Sequence, residues 1–182
     1  MKKFIGAVCA GAALFLSAAA ADAATIYQST FQGATFTVTQ TSATTATFDI
    51  AGVNALTGNW AGAQYLGAFS FKGLGTTSVT ASRSGVDTVG QAGGLNAGGC
   101  NGAGAGFVCF NLSPNLATAG NTNLTFDLTA TGGAFDFAEA GPHLKILWSN
   151  NLTKDNKVGD LYSQDIPGLQ TGVPEPATWA MM

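Results

Sequence analysis

A nucleophilic triad in this chain would have to run through His143, its single histidine. That residue opens an apolar run in which Leu144, Ile146 and Trp148 alternate with Lys145 and Leu147. No Gly-x-Ser-x-Gly turn occurs anywhere to present a nucleophilic serine. A structural role at a strand end is the expectation for His143. Glycoside hydrolysis asks for two carboxylates facing each other across a cleft. Between the chain ends the candidates are Glu139, Asp49, Asp87, Asp127, Asp136, Asp155, Asp160 and Asp165. Asp136 and Glu139 are close only along the sequence, which says nothing of a cleft. Asp155-Asn156-Lys157-Val158-Gly159-Asp160 has the look of a calcium loop, but Lys157 stands where a ligand would help. A hairpin turn is the expected reading there. The expectation is no catalytic residue, no cofactor and no metal: a non-enzyme.

Sugar binding would use broad aromatic faces beside amides. Trp60, Tyr65 and Trp148 are the candidates for such a platform, with Asn59 and Gln64 nearby. The competing reading makes both tryptophans core fillers, as aromatic rings in a sandwich usually are. Thr35, Thr37, Thr39 and Thr41, followed by Thr45 and Thr47, invite an ice-binding reading through rows of hydroxyl and methyl groups. Threonine is also simply a good solvent-facing strand residue.

Cys100 and Cys109 enclose eight residues at the end of a glycine-rich stretch over 90–106. A disulfide is the expected state, contributing about 2.5 kcal/mol through loop entropy. Free thiols or a metal are the alternatives, though a zinc site would want more ligands than two cysteines and a distant histidine. The stretch lacks Gly-Lys-Ser/Thr, and its glycines do not open a helix after a strand, so it is no phosphate cradle.

The elements that must carry these residues read as β-strands. Over 34–41, Phe36 and Val38 alternate with threonines; over 44–50, Phe48 and Ile50 alternate with Thr45, Thr47 and Asp49. Over 123–129, Leu124, Phe126 and Leu128 alternate with Thr125, Asp127 and Thr129. Period-two alternation marks half-buried strands. Further candidates lie over 25–31, 64–72, 76–83, 107–112, 143–149 and 158–166, and a short helical turn over 134–140. The expected fold is all-β: a single antiparallel β-sandwich, jelly-roll-like, with one disulfide, over a body of residues 24–168.

Composition supports that class. Of 182 residues 9% are charged, about a third of the usual share, while 46% are hydrophobic and 25 are glycine. A net charge of −3 supplies no basic surface for nucleic acid. Helical bundles need more Glu, Lys, Leu and Arg than this chain holds.

The two ends read as addresses. Lys2 and Lys3 precede a short apolar run, and Ala21-Asp22-Ala23 offers small residues where a signal peptidase cuts. Residues 1–23 are the expected signal peptide, with cleavage after Ala23. Residues 169–182 are the expected linker and the start of a second signal. There, Val173, Pro174, Glu175, Pro176, Ala177 and Thr178 precede Trp179-Ala180-Met181-Met182. This stretch resembles the opening of the PEP-CTERM sorting signal of Gram-negative bacteria. In that family an apolar membrane helix and an arginine cluster follow the motif, and the sequence ends at Met182 before either. The run Gly99-Cys100-Asn101-Gly102-Ala103-Gly104-Ala105-Gly106-Phe107-Val108-Cys109 is similar to a G-C-N-G-x-G-x-G-F-x-C segment of many such exported proteins, and His143-Leu144-Lys145 to their later H-[IL]-K stretch. The resemblance implies export, recognition by an exosortase-type membrane protease, and association with extracellular polysaccharide. It places the protein outside the cell or in the envelope, touching a membrane only through the helix beyond the motif. The expected role is a non-catalytic envelope or matrix protein. A carbohydrate-binding module is the alternative, ahead of an ice-binding protein or a secreted hydrolase.

Overall fold

The computed structural model describes residues 24–137, 141–153 and 157–169. The expected signal peptide and the motif at 173–178 lie outside the described residues, as do Glu139 and Asp155. What is described is an antiparallel β-sandwich. The first sheet has the order β1 (Thr25–Phe31), β2 (Ala34–Gln40), β3 (Thr45–Ala51), β11 (Asn123–Ala130), β5 (Val79–Arg83) and β6 (Val86–Val89). The second has β13 (Tyr162–Asp165), β12 (His143–Ser149), β4 (Tyr65–Lys72), β10 (Phe107–Ala117) and β7 (Gln91–Ala92). Because β3, β4 and β5 fall in alternate sheets, as do β10, β11 and β12, the chain crosses the core repeatedly. A separate two-stranded hairpin pairs β8 (Gly94–Asn96) with β9 (Gly99–Gly102).

The alternations in the sequence become the two inner faces. Phe36, Val38, Phe48, Ile50, Leu124, Phe126 and Leu128 are buried, while Thr125, Asp127 and Thr129 are exposed on the reverse side. Facing them are Phe69, Phe71, Val108, Phe110, Leu144, Ile146 and Trp148 of the second sheet. The sheets meet through rings: Phe48 lies 4.9 Å from Phe71 and 5.2 Å from Phe69, centroid to centroid. Edge-to-face and tilted contacts of this kind each add about 0.5–1.5 kcal/mol beyond area burial. At one end a short 3-10 turn, Gly58–Trp60, drops Trp60 among Phe31, Trp148 and Tyr162. There the indole Nε1–H donates to the Asp160 carbonyl at 3.0 Å.

Several segments differ from the sequence reading. The glycine-rich stretch is a paired hairpin rather than a loop. Its strands approach so closely that a Cβ on Gly94 would sit 2.7 Å from the Ala103 carbonyl oxygen. Glycine is what allows the pairing, so low strand propensity misleads here. Residues 134–137 form no helical turn. Phe135 N–H instead bonds to the Ala43 carbonyl and Asp136 N–H to the Leu74 carbonyl, which draws Phe135 into the core. Finally, the last strand is shorter than expected, Tyr162–Asp165, and before it Lys157 makes an isolated bridge to Ser149.

Tyr162 gives this core an alkaline limit. Burial pushes its phenol above the ordinary value of 10.0; the hydrogen bond to Ser29 opposes that shift and the Asp165 charge adds to it. Burial, then Asp136, shift Tyr27 the same way. A raised folded pKa means stability fully present below about pH 10 and lost as pH climbs through the folded value. Urea midpoints are expected to hold steady up to about pH 9 and fall above about pH 10. Tyr162→Phe should make that fall shallower; an unchanged alkaline slope in the variant would contradict the assignment.

Candidate functional site

The side chains with polar chemistry gather on the outer face of the second sheet, and strand register explains how. Asp165 pairs with His143, His143 with Lys72, and Lys72 with Phe107, forming one row across β13, β12, β4 and β10. The next row is Ser163, Lys145, Ser70 and Cys109, and beyond it lie Leu147, Ala68 and Asn111. Residues two apart along a strand share a face. These rows therefore lie opposite the core-facing rings.

The outer face has a covered half and an open half. Leu95 of β8 packs on Ala68, Leu147 and Cys109, with Cys100 and Leu161 at the edge, in a small apolar cluster separate from the main core. The Cys100–Cys109 disulfide, with 5.5 Å between Cα atoms, ties β9 to β10 and holds the hairpin down on this cluster. The Ser70 hydroxyl is fully buried in the same region without a hydrogen-bond partner.

Next to the covered half the sheet opens into a cleft of about 430 Å³, lined by Lys72, Phe107, His143, Lys145, Ser163 and Asp165 with glycines 73 and 141. Its size is that of ordinary small-ligand sites. Lys145 Nζ stands 4.5 Å from the Phe107 ring centroid and Lys72 Nζ 5.9 Å from it, so one buried ring carries two ammonium groups. Cation–π attraction of about 0.5–1 kcal/mol at such exposed sites helps hold them there. The His143 ring meets the same phenyl edge-on at 5.7 Å.

His143 is fixed from both sides. Nδ1 is 2.7 Å from Asp165 Oδ1 and Nε2 is 2.9 Å from Ser163 Oγ. In the neutral ring, Nδ1–H donates to the carboxylate and the Ser163 hydroxyl donates to Nε2. The order of groups is that of an Asp–His–Ser relay. However, the Asp165 side chain is 60% exposed and that of His143 29%, so water screens the charge that a relay would use.

The expected site residues fall in different places. Cys100 and Cys109 are bonded, as anticipated. Trp60 and Trp148 are 0% and 1% exposed, so the proposed sugar platform is corrected: neither indole face reaches solvent. The reason is packing, since the two rings lie 5.8 Å apart in the core. Tyr65 alone is half-buried, at the start of β4. His143 does open a strand, but with two polar partners that the alternation of β12 did not announce. The carboxylates disperse: Thr125 donates to Asp49 at 2.6 Å on the first sheet, and Asn59 donates to Asp160 at 2.8 Å. Among the described residues no three His, Cys, Asp or Glu side chains gather as a metal site would require. The threonine rows on the outer face of the first sheet bond to their neighbours, Gln28 to Thr37 and Thr30 to Thr35.

Sequence reasoning missed Lys72, Lys145, Phe107, Ser163 and Asp165 as one group. His-x-Lys in β12 and Ser-x-Asp in β13 were visible as same-face pairs, but nothing in the sequence set their register across the turn between them. No family model, curated protein or solved structure matches the chain.

The close packing of the hairpin can be tested through its glycines. Gly94→Ala places a methyl group against backbone and is expected to cost about 1–3 kcal/mol in urea unfolding. Gly98→Ala meets nothing nearer than Asn101 Nδ2 at 3.4 Å. It should change stability by less than about 0.5 kcal/mol. Equal effects at the two positions would contradict the close-approach explanation.

Proposed function

We propose that this chain is an exported, non-catalytic component of the envelope or extracellular matrix of a Gram-negative bacterium, associated with exopolysaccharide and sorted by an exosortase-type protease. The observation that carries the reading is the Cys100–Cys109 bond. A structural disulfide that clamps a surface hairpin persists in oxidising compartments and is rare in the cytosol. The signal-like residues before Ala24 and the motif Val173, Pro174, Glu175, Pro176, Ala177 and Thr178 bracket the body with the matching addresses. The body itself suits survival outside the cell: a ring-packed core, few charges, and outer faces dressed with hydroxyl groups. The non-catalytic part of the reading draws on the solvated Asp165, because a nucleophilic relay depends on a sheltered carboxylate and on preorganised oxyanion donors.

The carbohydrate-binding alternative draws support from a different observation than tryptophan exposure. With Trp60 and Trp148 inside, the cationic cleft over Phe107 is the surface feature that favours it.

Mass spectrometry of the protein recovered from its producing bacterium tests the export reading. A chain in the envelope or medium, beginning at Ala24, with Cys100 and Cys109 bonded and processed near 173–178, is expected. A cytoplasmic chain that keeps Met1 and has reduced cysteines would overturn it. For the non-catalytic role, an alkyl fluorophosphonate should leave Ser163 unlabelled after prolonged incubation, and a covalent adduct on Ser163 would contradict it.

A further inference from the structure

We propose that the cleft over Phe107 is a binding site for carboxylate-bearing polysaccharide, a polyuronate, with the sugar carboxylate seated between Lys72 and Lys145. The inference rests on four observations. First, two of the few cations in a chain of net charge −3 come from strands β4 and β12 onto one ring, at 5.9 Å and 4.5 Å. Like charges placed side by side repel, and an anion between them relieves that cost. Second, among the described residues the one ion pair is His143–Asp165, so neither ammonium is committed to a protein carboxylate. Third, the two lysines line a cleft of about 430 Å³ together with Phe107, His143, Ser163 and Asp165, so there is room for a ligand beside the cations.

Fourth, the groups next to the cations suit a sugar. The exposed Asp165 carboxylate, held by His143, retains lone pairs that accept from sugar hydroxyls, and Ser163 can donate or accept. A polyphosphate carries charge but no hydroxyl donors, so Asp165 finds nothing on it to accept from. A polyuronate supplies both the anion for the lysines and the hydroxyl donors for Asp165. Phe107, 8% exposed, acts as the base that holds the two ammonium groups in place rather than as a stacking platform.

This inference deepens the exopolysaccharide reading by naming the chemistry of the glycan. Its test uses the purified, oxidised chain in solution, so a failure of export and a failure of binding are separate results. Binding is measured by titration calorimetry against polygalacturonate, the same polymer fully methyl-esterified, dextran, and a short DNA duplex. Polygalacturonate should bind, and methyl esterification, which removes the charge and keeps the backbone, should weaken binding at least about tenfold. Lys72→Gln with Lys145→Gln should weaken it by a similar factor at an unchanged thermal midpoint, while Lys157→Gln, exposed on a different segment, should leave it intact. Asp165→Asn tests the hydroxyl contacts. It should weaken polygalacturonate binding, whereas stronger binding would mean that charge alone governs the cleft and would overturn the assignment to a sugar. No binding to polygalacturonate, binding indifferent to the double lysine substitution, or equal binding to DNA would each overturn the proposal.

Discussion

Strand β4 must be covered on both faces, and much of the remaining architecture follows from that requirement. From Leu66 to Phe71 every residue of it is buried. Its backbone groups pair with β10 on one side and β12 on the other, so no edge is left for water to satisfy. The inner face is met by large rings, with Phe69 and Phe71 packed on Phe48 of the opposite sheet. The outer face carries small residues, Ala68 and Ser70, which let another piece of chain come close. That piece is the β8–β9 hairpin, whose glycines make it thin and whose Leu95 supplies the apolar contact. One hydrophobic residue on a glycine hairpin is a weak attachment, worth roughly 1.5–3 kcal/mol if fully buried. The Cys100–Cys109 bond makes it durable, because it removes the alternative in which the hairpin drifts away from β10.

The covered half of the face defines the open half. Where the hairpin ends, the same rows of β4, β10 and β12 continue as Lys72, Phe107, His143 and Lys145, and β13 adds Ser163 and Asp165. The disulfide thus holds the covered half of the face in place.

Much of the fold was legible because a half-buried antiparallel strand writes its two faces into the sequence. Phe36 and Val38, Phe48 and Ile50, and Leu124, Phe126 and Leu128 all point inward where alternation put them. The cysteine pair was legible from spacing. The hairpin was not: its glycines lower strand propensity, and only the close approach of Gly94 to Ala103 shows why they are there. The tryptophans were ambiguous for a related reason, since an indole serves equally as core filler or as platform until its neighbours are known. Trp60 has Phe31, Trp148 and Tyr162 around it, which decides the matter. The cleft was least legible of all. Its residues come from four strands separated by up to 93 positions, between Lys72 and Asp165, and only register brings them into adjacent rows.

The central claim is that the disulfide clamps the hairpin onto β4 and is separable from the ring-packed core. Amide hydrogen exchange on the oxidised and the reduced chain addresses it most directly. On reduction, faster exchange is predicted across the hairpin, residues 94–102, and at Cys109 and Leu147 beneath it, while β2, β3 and β11 stay protected. Exchange that is unchanged across the hairpin, or that rises uniformly through both sheets, would contradict the account.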